Sequence, residues 1–288
     1  MREHLDIFRE FGKVRISALA TITMVAGYVL ARGGASWELA PVTLGVFLLA
    51  CGSSALNQIQ ERDIDSLMLR TQGRPLPSRR VSLSYAIGMA VINIVLGCLV
   101  VLWSSNVDAM VLGLITVGWY NGVYTPLKRV TAFAAVPGGV VGAIPPVIGW
   151  VAAGGSAYDP RILAVAFFFF MWQVPHFWLL LLFSAGEDYE RAGLPSMTRF
   201  FSMTQIARIT FAWILGTAAA CVVIPLFGVI DSGWINLGLF VSGLWLVAGS
   251  ARIMRADEGL APFKLAFKHV NLFAIVVIAM LSLDGILR

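Results

Sequence analysis

Long apolar stretches separated by short polar segments dominate the chain. They can be drawn at 16–32, 38–56, 82–103, 107–125, 132–153, 160–184, 205–228, 234–254 and 266–286. A helix needs about 20 residues to cross the roughly 30 Å hydrocarbon core of a bilayer, and each stretch is close to that length or beyond it. An isolated strand would leave its backbone polar groups unsatisfied in lipid, so helices are the expected crossing elements. The pattern therefore predicts an all-α fold, a polytopic membrane bundle of nine transmembrane helices, with residues 1–288 as one transmembrane domain. An odd number of crossings places the two termini on opposite sides.

Composition points the same way. Apolar residues make up 58% of the chain and charged residues 13%, about half the charge expected of a soluble domain. A net charge of +5 suggests nucleic acid only until the charges are placed, because most lie between the apolar runs or at their ends. Of the 21 Lys and Arg, only Arg32, Arg161 and Arg288 fall on one side of the predicted bundle. Cytoplasmic loops are the Lys- and Arg-rich ones, so the N-terminus is expected in the cytoplasm, with the protein multi-pass in the inner (plasma) membrane. Cys51, Cys98 and Cys221 sit inside apolar runs with no metal or disulfide spacing, and read as small core residues. Residues 1–15 are charged and no small-residue cleavage site follows the first run, so a cleaved leader is not expected.

The chemistry lies in two polar loops on the Lys- and Arg-rich side. The first reads Asn57-Gln-Ile-Gln-Glu61-Arg62-Asp63-Ile-Asp65, then Arg70-Thr71-Gln-Gly-Arg74-Pro75-Leu76-Pro77. If the second helix continues past the membrane, residues four apart drift only about 40° around it, so Asn57, Glu61 and Asp65 share a face and Asp63 points away. One amide and two carboxylates at the mouth of a bundle suit Mg²⁺, which takes one or two carboxylates and completes its octahedron with water and phosphate oxygens. A solvated loop of mixed charge is the plain alternative. The second loop carries Glu187-Asp188-Tyr189-Glu190-Arg191-Ala192-Gly193-Leu194-Pro195.

Two further segments are unusual for membrane spans. Tyr120-Asn121-Gly-Val-Tyr124-Thr125-Pro126-Leu-Lys128-Arg129 closes the fourth run with two cations beside two aromatics. Such a helix end can hold a diphosphate, or simply anchor the helix at the interface. Gly142-Ala-Ile-Pro145-Pro146-Val-Ile-Gly149-Trp150 follows in the fifth run; its small residues permit close packing, and the double proline is expected to break the helix. In the sixth run, Trp172-Gln173-Val-Pro175-His176-Phe177-Trp178 puts a histidine within the bilayer, where it must face a partner or a cavity. Gln173 and His176 can share a face, as helix-packing glue or as substrate contacts, with His176 touching or ligating a haem iron.

Together these motifs resemble the intramembrane prenyltransferases of the UbiA superfamily. There, an NxxxDxxxD motif with an RTxxRPL tail binds Mg²⁺ and a prenyl diphosphate. Asn57 and Asp65 match their places, and Glu61 stands where Asp is commonest. The resemblance implies Asn57, Glu61, Asp65 and Asp188 as metal ligands, with Glu187 joining them in the catalytic set. It also implies Arg70, Arg74, Tyr124, Lys128 and Arg129 as diphosphate contacts. The Trp172–Trp178 and Asp188–Pro195 segments are similar to the haem-accepting branch of the superfamily, which implies Gln173, His176 and Trp178 as acceptor contacts. The activity implied is transfer of a farnesyl group from farnesyl diphosphate to a vinyl group of haem B, giving haem O and diphosphate, with Mg²⁺ as cofactor and the lipid bilayer as surroundings. Association with a haem A synthase or a terminal oxidase assembly is a further expectation; nucleic acid is not a partner. The alternatives are another aromatic acceptor, a hydroxybenzoate or naphthoate, and a non-catalytic haem carrier or transporter. The likeness runs from Lys13 to about Pro195. It departs at Ser196-Met197-Thr198 and in the reduced second acidic motif.

Overall fold

The apolar runs become helices, and among the described residues there is no strand. The computed structural model describes residues 2–184, 186–255 and 259–287; the side chains of residues 2–4, 184 and 187 lie outside that description. Arg288, the side chain of Arg2 and that of the predicted catalytic Glu187 are therefore not placed.

Helices α1 (Arg2–Phe11), α2 (Val14–Arg32), α3 (Leu39–Asp65), α4 (Leu83–Ser104) and α5 (Val107–Gly118) come first. A π-helical turn, Trp119–Tyr124, leads directly into α6 (Thr125–Leu127). Next are α7 (Ala135–Ala152), α8 (Pro160–Ser184) and the short α9 (Gly186–Arg191) and α10 (Met197–Phe200). The chain closes with α11 (Met203–Val223), α12 (Gly233–Ser250) and α13 (Ala261–Leu287). Eight of these segments are long and apolar enough to cross a membrane. The remaining predicted run, the fourth at 107–125, is also helical, but the π turn divides it into shorter pieces. The expected bundle is thus present, with a count of nine that depends on reading residues 107–127 as one crossing.

Packing sets which helices are central. The apolar windows of α2 and α3 are 50% buried, whereas those of α4 and α12 are only 28% buried and turn most of their surface outward. Exposed Ile87, Val91, Val95 and Leu99 on α4, with Leu237, Val241 and Leu244 on α12, make up that outer surface, as expected where lipid is the solvent. At the centre, α2 and α7 meet backbone to backbone. A Cβ built at Gly27 would sit 2.0 Å from the Pro146 carbonyl oxygen, and one at Gly149 would sit 1.9 Å from that of Met24. Only glycine permits these two approaches, the small-residue packing that replaces hydrophobic drive inside a bilayer.

Two expectations need correction. The helix α7 runs unbroken through Pro145 and Pro146. In a bundle, neighbouring helices and local adjustments accommodate the missing N–H groups that would end a helix in water, and α7 is held between α2 and α8. In addition, α1 was not signalled by any apolar run. It is amphipathic: Ile7 and Phe11, four apart, pack with Ala55 and Ile59 of α3, while Glu10 on its outer face pairs with Arg80. The first polar loop is therefore flanked by a helix that its sequence pattern did not announce.

Candidate active site

Helix α3 does continue past its apolar run and ends at Asp65. Asn57 and Asp65 are fully buried, and the Glu61 side chain is 13% exposed against 78% for Asp63. The four-residue spacing thus lays one amide and two carboxylates along a single inward face. Each of the three meets a cation. Asn57 Oδ1 accepts from Lys13 Nζ at 2.8 Å, Glu61 pairs with Lys128, and Asp65 Oδ2 accepts from Arg74 at 2.6 Å. The Asn57 amide donates to Thr125 Oγ1 at 3.0 Å, tying α3 to the segment that follows the π turn.

Lys13 is the residue that sequence reasoning missed. It sits in the break between α1 and α2 with φ 44° and ψ 49°, a left-handed conformation that costs a side chain other than glycine roughly 1–2 kcal/mol. Burial, with Arg74 and Lys128 close by, pulls its pKa down to about 7. Three cations crowd one small volume here, an arrangement that a polyanion relieves. In the sequence Lys13 looked like one more cation flanking a span; neither its backbone conformation nor its reach to Asn57 left a local signal.

The other predicted cations lie further out. Arg129 is exposed and donates to the Gln60 carbonyl at 2.6 Å. Arg70 is exposed, and its backbone N–H is bound at 3.1 Å by Asp188. Asp188 also takes the Leu69 N–H at 2.9 Å, so both its oxygens clasp the first loop to the second. Among the described residues no three carboxylates, histidines or cysteines come together in a cluster able to hold a metal. Asp188 uses its two oxygens on the backbone of the first loop and so joins the two loops. Its neighbour Tyr189, with its hydroxyl pushed up to about 12 by burial, lines a cleft with Tyr124, Lys128, Trp178 and Met197.

From this polar end a line of rings leads into the bundle. Lys128 Nζ lies 5.0 Å from the Tyr124 ring centre. Tyr124 is 5.6 Å from Tyr120 and stacks on Phe177 at 5.6 Å. Phe177 is 5.7 Å from His176, and His176 is 4.9 Å from Trp172. The π turn, a feature that recurs at functional sites, lies where Tyr120 and Tyr124 enter this line. The three predicted acceptor residues diverge around α8. Gln173 abuts Gly142 of α7, His176 bonds Asn271 of α13, and Trp178 packs edge-on against Trp213 of α11 and Phe133.

The donor set fits Mg²⁺. Its atoms are hard oxygens, two carboxylates and one amide, and Asp65 Oδ1 is buried without a hydrogen-bond partner, an expensive state unless a cation meets it.

A helical membrane bundle with acidic and cationic groups paired at one end of an aromatic-lined interior is the architecture of an intramembrane prenyl-transfer enzyme. The chain belongs to the UbiA prenyltransferase family, which its residues 20–272 match. A protoheme IX farnesyltransferase of Geobacter sulfurreducens is 42% identical over 227 residues, covering 79% of this chain and 82% of that protein. One from Christiangramia forsetii is 34% identical over 297 residues, covering 99% and 95%. Among solved structures, one on digeranylgeranylglyceryl phosphate synthase superposes with a TM-score of 0.80 at 14% identity, covering 99% of this chain and 100% of that one. A UbiA homologue from Archaeoglobus fulgidus bound to GPP and Mg²⁺ superposes at 0.71 with 15% identity, covering 98% and 100%; at these identities the likeness establishes the fold.

Proposed function

We propose that this prenyltransferase moves the farnesyl group of farnesyl diphosphate onto a vinyl group of haem B, releasing diphosphate and, after addition of water, yielding haem O. The observation that carries the reading is the ring line from the Lys128 and Tyr124 end to His176. A diphosphate held at its Lys128 end and a large flat acceptor near His176 would meet along it. The protoheme IX farnesyltransferases to which the chain is similar support that choice of acceptor.

Asn57, Glu61 and Asp65 would hold Mg²⁺, which when bound neutralises the leaving diphosphate as a Lewis acid. Lys13, Arg74 and Lys128 bind the same phosphate oxygens by charge-assisted hydrogen bonds. As the farnesyl C1–O bond breaks, its electron pair leaves with the diphosphate and positive charge grows on the allylic carbon. The faces of Tyr120, Tyr124 and Phe177 stabilise that charge. A new bond then forms between C1 and the vinyl carbon, and water adds to the resulting cation with loss of a proton. The clasp of Asp188 on Leu69 and Arg70 holds the two loops together and so limits the entry of water to the allylic cation.

The Lys- and Arg-rich end faces the cytoplasm, with the N-terminus on that side and the bundle in the plasma membrane. Delivery of the product to a haem A synthase or an oxidase assembly is part of the same reading. The test is diphosphate release from farnesyl diphosphate by the purified protein. Release should require both Mg²⁺ and haem B, and hydroxybenzoate or naphthoate should not replace the haem. Equal release with either of those acids would overturn the choice of acceptor.

A further inference from the structure

His176 Nδ1 lies 2.7 Å from Asn271 Oδ1, and the atom that carries the proton is decided one bond further along. The Asn271 Nδ2 group donates to the Phe267 carbonyl at 2.7 Å, one turn earlier on α13. A carbonyl only accepts, so the amide NH₂ must face Phe267 and the amide oxygen must face the imidazole. That oxygen also only accepts. The hydrogen between His176 and Asn271 therefore belongs to Nδ1, and in the neutral ring Nε2 holds the sole available lone pair. The ring is further restrained by Trp172 and Phe267, whose centres lie 4.9 Å and 5.3 Å away.

A ring N–H bound to a fixed oxygen, with the other nitrogen free to donate electrons, is how proteins orient histidines that ligate metals. We propose that Asn271 is a positioning residue that fixes His176 as the Nδ1–H tautomer, so that Nε2 serves as the ligand to the iron of the metalloporphyrin acceptor. This rests on the reading that His176 faces the haem, and it adds a residue from the last helix, beyond the motifs that carry the resemblance. Neither residue alone signals it. His176 and Asn271 are 95 positions apart, and in sequence Asn271 is one polar residue in an apolar run.

The test uses full-length protein in detergent, with optical titration of haem B and, in parallel, of metal-free protoporphyrin IX. Asn271→Leu removes the acceptor. It should weaken haem B binding roughly 10- to 100-fold, the usual cost of losing such a partner. The haem spectrum should move toward that of His176→Ala, and metal-free porphyrin and farnesyl diphosphate should bind as in the wild type. Asn271→Asp keeps an acceptor for Nδ1–H, and as the neutral acid its O–H can replace the amide donor to the Phe267 carbonyl, so it should retain haem B with a spectrum close to that of the wild type. If His176→Ala weakens haem B while both Asn271 variants leave affinity and spectrum unchanged, the tautomer proposal is overturned and the pocket reading stands. If Asn271→Leu weakens metal-free porphyrin as much as haem B, the residue only packs α13 on α8, and the proposal again fails. If His176→Ala alters neither ligand, the pocket reading itself is wrong.

Discussion

Replacing Lys13 by glycine separates fold from function. The left-handed backbone at φ 44° suits glycine, so the substitution removes roughly 1–2 kcal/mol of conformational strain. It also removes the hydrogen bond to Asn57, about 1.5–3 kcal/mol for a bond to a charged group, and with it the desolvation of a crowded ammonium. These terms oppose one another, and the melting temperature should move little. Binding has no such compensation. Loss of one charge-assisted contact to the diphosphate, about 1.5–3 kcal/mol, should weaken farnesyl diphosphate by roughly 10- to 150-fold. Equilibrium binding in the presence of Mg²⁺ and without haem measures this directly, with thermal unfolding run on the same samples. Lys13→Arg, which keeps the charge, should recover most of the affinity. A Lys13→Gly protein with unaltered melting and unaltered affinity would refute the placement of this ammonium at the diphosphate.

Asp65→Asn should lower turnover by at least about 100-fold, the scale of losing one preorganised electrostatic contact, while Asp63→Asn, on the exposed side of α3, should stay within about threefold; equal losses would contradict the shared face. Gly149→Ala should destabilise the protein by about 1–3 kcal/mol through overpacking against Met24. Gly88→Ala, with nothing near the added Cβ, should be neutral or mildly stabilising in the same unfolding assay. With Cys51, Cys98 and Cys221 replaced by alanine, single cysteines at Ser66 and at Ser156 should react with an impermeant label from opposite sides of the membrane, and labelling from one side would break the odd-crossing topology.

What the sequence made legible followed short periods. Four-residue spacing placed Asn57, Glu61 and Asp65 on one face because a helix brings such residues into line. Apolar length marked the spans because the bilayer sets it. The features that escaped depend on tertiary context. The left-handed Lys13, the π turn at Trp119–Tyr124 and the bond from His176 to Asn271 arise where distant segments meet. Pro145 and Pro146 misled for the same reason, since their tolerance comes from the helices around α7. Asp188 entered through the resemblance, and its bonds to the Leu69 and Arg70 backbone, which join two loops 118 and 119 positions apart, had no local signal.

The central claim is tested most directly by mass spectrometry of haems extracted from cells that make haem B but lack any other haem-prenylating enzyme, with and without this chain. The account predicts a new haem bearing a hydroxyethylfarnesyl side chain, present with the wild-type protein and absent with Asp65→Asn. Unmodified haem B alone, from cells in which the wild-type protein is folded and in the membrane, would contradict it.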